Sequence, residues 1–166
     1  MHILFDIGGT RTRIARTDNL MDLVGEPVLF ETQDDFNAQM DAFCSAAKTL
    51  LAGAPALKVA GGLKGVYDHE SGRIGKTPGK DTWTSQPFAE RIQSALGVTP
   101  LVFNDTAAVG LGEAHAGAGV GSERLVYVSV STGVGGVQIV HGSVVDAVYG
   151  FEPGHQILNY ATGERL

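Results

Sequence analysis

The sequence is short of cysteine, of long apolar runs and of basic clusters. Cys44 is its one cysteine, which excludes an internal disulfide and any C-x-x-C metal motif and fits a reducing compartment. No stretch approaches the roughly 18–20 consecutive apolar residues of a membrane span, so no membrane association is expected. No run of Lys or Arg occurs and the formal net charge is −6, which disfavours a nucleic-acid partner. The opening residues, MHILFDIGGT, lack the basic segment, long apolar segment and cleavage site of a secretory signal. A soluble, cytoplasmic protein is expected. What is present in quantity is apolar residues, 43% of 166 positions, enough for a globular core. The 23 glycines are too many for a plain helical bundle, and they gather in clusters that mark special turns rather than disorder.

Residues 2–7 (HILFDI) and 11–16 (RTRIAR) alternate as strands around a Gly-Gly turn. Residues 24–33 (VGEPVLFETQ) suggest a third strand, with Pro27 suited to an edge or an end. Thr32, with Asp35 three residues on, resembles an imperfect capping box opening a helix. Phe36, Met40, Phe43, Ala47, Leu50 and Leu51 then recur at helical spacing up to Gly53. A short buried strand, 56–63, ends in Gly61-Gly62, and a hairpin around Ser71-Gly72 follows within 66–77. Residues 88–97 form a helix closed by Gly97, 100–105 a strand, and 105–117 a helix of small residues. Residues 124–142 comprise a strand, a Gly-rich turn and a strand, and 143–148 a further short strand. Strands alternating with helices argue for an α/β layered structure. LFDIGGTRTRIA and SVSTGVGGVQIV share one design, strand, Gly-Gly turn and strand, which hints at two related lobes.

Several of these turns have chemical potential. Gly8-Gly9-Thr10 and Thr132-Gly133-Val134-Gly135-Gly136 can offer backbone N–H groups and Thr hydroxyls to phosphate oxygens. Either loop read alone is better taken as an ordinary hairpin, and it is the matching design of the two that raises the phosphate reading. Neither is a P-loop, since no G-K-[ST] follows, and neither opens a helix as a dinucleotide fingerprint does. Asp6, at the end of an apolar strand, is placed either to hold hydrated Mg2+ or to bond its own turn. Asn104-Asp105 stands where a strand meets a helix and can serve as a simple N-cap. In a catalytic role, Asp105 would take the proton of a substrate hydroxyl and Asn104 would bond a neighbouring one. Glu152 and His155 could clasp adjacent hydroxyls, or form a surface turn. Gly61-Gly62-Leu63-Lys64-Gly65 could present backbone donors to a ligand or simply bend tightly. The lone Trp83 reads as a packing residue, and His2, His69, His115 and His141 show no metal-site spacing. His155 has no cysteine partners, so zinc within this chain is disfavoured.

Taken in order, these stretches resemble the ROK family (repressor, open reading frame, kinase) of the actin-like, hexokinase-like ATPase superfamily. DIGGT (6–10) resembles its first phosphate motif, and VAGGLKGVYD through GRIGKTPGKDTW its sugar-lobe segment. PLVFNDTAAVGLGEAHAGAG (100–119) is similar to the stretch carrying its catalytic Asp, VSTGVGGVQIVHG (130–142) to its second phosphate hairpin, and GFEPGHQI (150–157) to its E-x-G-H sugar motif. The resemblance implies ATP-dependent phosphorylation of a hexose-type sugar. Asp105 would be the general base. Asn104, Gly62, Glu152 and His155 would bind sugar. Asp6, Gly8, Gly9, Thr10, Thr132 and Gly133 would line the ATP phosphates, with Asp6 holding Mg2+ through water.

The implied fold is an RNase H-like lobe with a mixed five-stranded sheet and flanking helices over residues 1–120. An incomplete second lobe begins at 121–166. The partners implied are a small sugar and ATP, and a homodimer is compatible. The sequence departs from the family at Lys64, at Gly79-Lys80, at Val137 in place of a third glycine, and at Pro153. The family's Cys-rich zinc motif is absent from the 166 residues, so a fragment with very weak activity of its own is expected. The alternative is a catalytically silent sugar-binding or regulatory module.

Overall fold

The computed structural model describes residues 1–130, 134–145, 151, 153–155, 157–159 and 164–165, with 155, 157–159 and 164–165 described by backbone alone. The chain divides into two compact units, Met1–Asp105 and Thr106–Leu166. Among the described residues no helix is long and apolar enough to cross a membrane.

The first unit is a five-stranded mixed sheet. Its strands are β1 (His2–Ile7), β2 (Arg11–Thr17), β3 (Val28–Glu31), β4 (Lys58–Leu63) and β7 (Leu101–Asn104), in the order β3-β2-β1-β4-β7. β1, β2 and β3 pair antiparallel, whereas β1–β4 and β4–β7 are parallel. A small hairpin of β5 (Tyr67–Asp68) and β6 (Arg73–Ile74) lies between β4 and β7 in sequence, around Gly72 at φ 69°. This is the α/β class that the residue pattern predicts and the five-stranded mixed sheet that the family resemblance implies. The third strand is shorter than predicted: Gly25 sits at φ 72° and Pro27 has no N–H to give, so pairing starts only at Val28.

One face of the sheet is the core. Ile3, Phe5 and Ile7 from β1, Ile14 from β2, Val59 and Leu63 from β4, and Val102 from β7 are buried there. Two helices cover them, α1 (Phe36–Leu51) and α2 (Phe88–Leu96). Their apolar stripes contribute Phe36, Met40, Phe43 and Ala47 from α1 and Phe88 and Ile92 from α2, all buried. Phe5 meets Phe43 and Phe88 edge-on, with ring centroids 5.5 and 5.9 Å apart, the arrangement that aromatic quadrupoles favour. Gly61 makes room for this cluster. It is the register partner of Phe5 on one side and Val102 on the other, and a Cβ there would overlap the Phe5 carbonyl and ring. Trp83, as expected, packs: it is buried against Phe36 in a short 3₁₀ turn, Asp81–Trp83, that the periodicity did not signal.

Helix α1 starts later than the capping-box pattern suggests. Its N-cap is Asp35, whose carboxylate accepts from the Ala38 N–H at 2.9 Å. Thr32 is engaged elsewhere. Its hydroxyl donates to the Gly8 carbonyl at 2.9 Å and lies 3.0 Å from the Thr12 hydroxyl, while its N–H bonds the Thr10 carbonyl at 2.9 Å. Gln39, a buried polar residue on the apolar stripe of α1, donates to Thr12 Oγ1 and accepts from the Gln33 N–H. On the other side of this loop, the buried Lys80 ammonium bonds the Thr32 carbonyl at 3.1 Å and Asp34 at 2.5 Å, and Trp83 Nε1 donates to the Asp34 carbonyl. Residues 32–34 therefore tie the turn after β1 to the segment around residue 80.

The second unit contains α3 from Thr106 onward, its helix running Asp105–Ala116, and an antiparallel sheet of β8 (Arg124–Val130), β9 (Val134–Val140) and β10 (Ser143–Val144) in the order β10-β9-β8. A short pair, β11 (Ile157–Asn159) and β12 (Glu164–Arg165), follows. Gly110 is the buried residue of α3, and a Cβ there would collide with Val137. The bulk of Val137 is thus accommodated by a glycine on the facing helix. The other face of β8 shows Val126, Val128 and Val130 to solvent, an exposed apolar row. Of the predicted strand at 143–148, Ser143–Val144 is strand and Val145 is not, while 146–148 lie outside the described residues.

Two stability effects are expected. Gly61→Ala should lower unfolding stability by about 1–3 kcal/mol, the usual range for overpacking. The measurable sign is a drop in the urea midpoint with an unchanged m-value. Thr32→Val should cost about 1–2 kcal/mol by stranding the hydrogen-bonding groups around it, measured in the same way.

Candidate functional site

The site of the first unit grows from the shared end of three parallel strands. Ile7, Leu63 and Asn104 are register partners on β1, β4 and β7. The residues that follow, Gly8, Lys64 and Asp105, therefore emerge at one edge. With strands about 4.8 Å apart, the outer two stand about 10 Å from each other, the scale of a bound small molecule.

After β1 the chain makes a tight reversal, with the Gly8 N–H bonded to the Arg11 carbonyl at 3.0 Å. The Thr32 hydroxyl holds the Gly8 carbonyl from the core side, so the turn Gly8-Gly9-Thr10 is braced where it joins the protein and free of side-chain bulk at its tip. Such a run of backbone amides can receive an oxyanion. Asp6 lies one residue before the end of β1, opposite Arg13 of β2, and Arg13 donates to Asp6 Oδ2 at 2.6 Å. Both side chains are about half exposed, so this pair adds little to stability. One carboxylate oxygen taken by Arg13 and one remaining, beside a turn of amides, fits a hydrated Mg2+ shared with phosphate oxygens. It does not fit a closed all-protein metal cage. Among the described residues no cluster of three or more His, Cys, Asp or Glu could hold a metal ion.

Gly62 is the register partner of Asp6 and is buried in the middle of the sheet's end. Two residues past β4, Gly65 adopts φ 99°, a conformation that glycine adopts without strain. A Cβ there would strike Thr77 Oγ1 and the Lys76 carbonyl, so the segment 76–77 lies directly on Gly65. Asn104 Nδ2 donates to the Gly65 carbonyl at 3.4 Å, which joins the end of β7 to the same bend. The neighbouring β5–β6 hairpin is closed by Asp68. The Ser71 hydroxyl and the N–H groups of Glu70 and Ser71 bond its carboxylate and hold its pKa below the ordinary range. Burial, with Asp68 adding, pushes the Tyr67 hydroxyl up. Asp105 opens α3, where its carboxylate also suits the helix N-terminus electrostatically.

The first unit thus brings together Asp6, Gly8, Gly9, Thr10, Gly62, Asn104 and Asp105. In the second unit, Phe151 and Pro153 press on Gly136, and Gly154 on the Val134 carbonyl, so the E-P-G-H segment and the second Gly-rich hairpin are neighbours. His155 is described as the last residue of a 3₁₀ turn, Pro153–His155. Thr132, Gly133 and Glu152 lie outside the described residues. Three features escaped the sequence pattern: the bracing by Thr32, the Lys80–Asp34 latch, and the position of Lys64 beside Gly9. The available signal was Gln39, a polar residue on an otherwise apolar helical stripe.

Comparison with known proteins places the chain in a family and a fold. A glucokinase from Thermotoga maritima is 29% identical over 161 residues, which covers 92% of this chain and 49% of the relative. The crystal structure of a ROK family glucokinase from Streptomyces griseus, in complex with glucose and AMPPNP, superimposes with a TM-score of 0.81 at 26% identity, covering 95% of this chain and 51% of that one. The ROK hexokinase from Thermus thermophilus gives a TM-score of 0.81 at 28% identity, over 96% of this chain and 54% of that one. The chain spans about half the length of the relatives it matches. These structures share the actin-like ATPase fold. The profile of the ROK family matches residues 3–164, and on that match the chain belongs to the ROK family.

Proposed function

We propose that this chain carries the sugar- and phosphate-binding lobe, and the start of the ATP-binding lobe, of an ATP-dependent hexose kinase. The observation that carries it is the common edge of β1, β4 and β7, where an amide-lined glycine turn, Gly62 and the pair Asn104–Asp105 emerge side by side. In this reading residues 1–120 form the first lobe and 121–166 begin the second. α3 is counted with the first because Asp105 opens it.

Asp105 acts as general base. It accepts the proton of the sugar hydroxyl as that oxygen bonds to the γ-phosphorus of ATP, and the bond from that phosphorus to the bridging oxygen of ADP breaks. Asn104, Gly62, Glu152 and His155 hold the other hydroxyls, which fixes the attacking oxygen in line. Gly8, Gly9 and Thr10, with Thr132 and Gly133, bind the phosphate oxygens through amides and hydroxyls. Mg2+, held through water by Asp6, supplies further charge neutralisation when bound. Relatives named glucokinase support a hexose as acceptor. The setting proposed is the cytoplasm.

Because the chain covers about half of its relatives' length, lobe closure around ATP is expected to be incomplete and turnover very low. Calorimetric titration with D-glucose and with Mg-ATP, combined with an ADP-release assay, tests this. Hexose binding with weak nucleotide binding and little ADP release is the expected result. In a longer form with turnover, Asp105→Asn should retain glucose binding and lose on the order of 100-fold or more in kcat, the scale of a lost general base. Hexose binding with no response to nucleotide in any form would favour a silent sugar-binding module, and no hexose binding would overturn the kinase reading. Robust turnover by the 166-residue chain, abolished by Asp105→Ala, would overturn the fragment reading.

A further inference from the structure

Lys64 occupies a position that the proposed reaction does not yet use. It is the first residue past β4, and its N–H bonds the Ile7 carbonyl at 2.9 Å, which pins its backbone beside the turn that follows β1. Gly65, at φ 99°, then turns the main chain away. The Lys64 side chain goes the other way, across the Gly8-Gly9 turn. A Cβ built on Gly9 would stand 2.7 Å from Lys64 Nζ and 3.2 Å from its Cδ. The absence of a side chain at Gly9 is what lets the ammonium lie over the turn.

Asp105 emerges at the same edge, while Asp6 and Lys80 are committed elsewhere. Asp6, the carboxylate that precedes the turn, is paired with Arg13, and the buried Lys80 is paired with Asp34. Lys64 enters none of the ion pairs Arg13–Asp6, Arg16–Asp18, Lys80–Asp34 and Arg91–Asp41. It is half-buried, so its charge is partly shielded from water and acts at short range. A cation next to backbone amides, in a chain of net charge −6, is a local exception to the overall sign. Sugars carry no charge for it to recognise. Condensed phosphate does.

We propose that Lys64 is a phosphate-binding residue of the Gly8-Gly9-Thr10 turn, its ammonium donating to terminal phosphate oxygens of a polyphosphate chain such as that of a nucleoside triphosphate. This rests on the reading of that turn as a phosphate site and adds to it a charged partner. The amides supply directed donors, and the lysine supplies a point charge that adapts as the phosphates move.

The test uses inorganic tripolyphosphate, which needs only the phosphate site, and follows binding by calorimetry at low and at moderate salt. The unmodified chain is expected to bind. Lys64→Met should weaken binding about tenfold or more and flatten its salt dependence. Lys64→Arg should retain most of the affinity, and Lys48→Met, a change on the outer side of α1, should alter nothing. A second measurement needs no variant: tripolyphosphate should protect Lys64, and not Lys48, from acylation by an activated ester, read by peptide mass spectrometry. Equal affinity of the Lys64→Met protein, or acylation of Lys64 unaffected by saturating tripolyphosphate, would overturn the role of Lys64 and leave the phosphate turn standing. A folded chain that binds no tripolyphosphate would overturn both.

Discussion

Parallel pairing of β1, β4 and β7 is the constraint from which the site follows, because it makes three separate stretches of sequence end at the same edge. Parallel strands need crossover connections, and here the crossovers bring helices back over one face. The pairing depends on Gly61. Any side chain there would meet the Phe5 carbonyl and ring, and Phe5 anchors the aromatic cluster with Phe43 and Phe88. A glycine in a central strand is normally a weakness; in this sheet it lets the core and the strand ends coexist.

The turn after β1 is both bare and stiff. It is bare because Gly8 and Gly9 carry no side chains. It is stiff because Thr32, Thr12 and Gln39 hold it through a chain of hydrogen bonds that reaches into the buried face. Lys80 and Trp83 fix the same loop from the opposite side. Buried polar groups of this kind are costly when unpaired and specific when satisfied. Their effect here is to register the glycine turn against the segment from residue 76 to 83 that leads to Gly65 and Asn104.

In the second unit, strand and helix fit through one glycine. Val137 fills the space above Gly110 of α3, and a side chain at 110 would collide with it. The outer row of Val126, Val128 and Val130 stays exposed. An apolar row of this kind on a sheet is normally covered.

Much of the architecture was legible in residue order. Alternation in HILFDI and RTRIAR, the 3.6-residue stripe from Phe36 to Leu51 and the glycines at 8–9, 61–62, 72 and 97 mark strands, helix and turns within a residue or two. Local pattern carries that information because side-chain periodicity and φ limits are properties of short segments. The start of α1 was misjudged for the complementary reason: Thr32 and Asp35 are both good caps, and the choice between them was made by Gly8 and Thr12, more than 19 residues away. Residue types and their order single out Asp6, the glycine turn and Asn104–Asp105 as the groups we propose to bind phosphate or move a proton. Only the tertiary structure decided that strand ends tens of residues apart share one edge, and that the Lys64 ammonium lies over Gly9, because strand register and the reach of a long side chain depend on partners that no local spacing encodes.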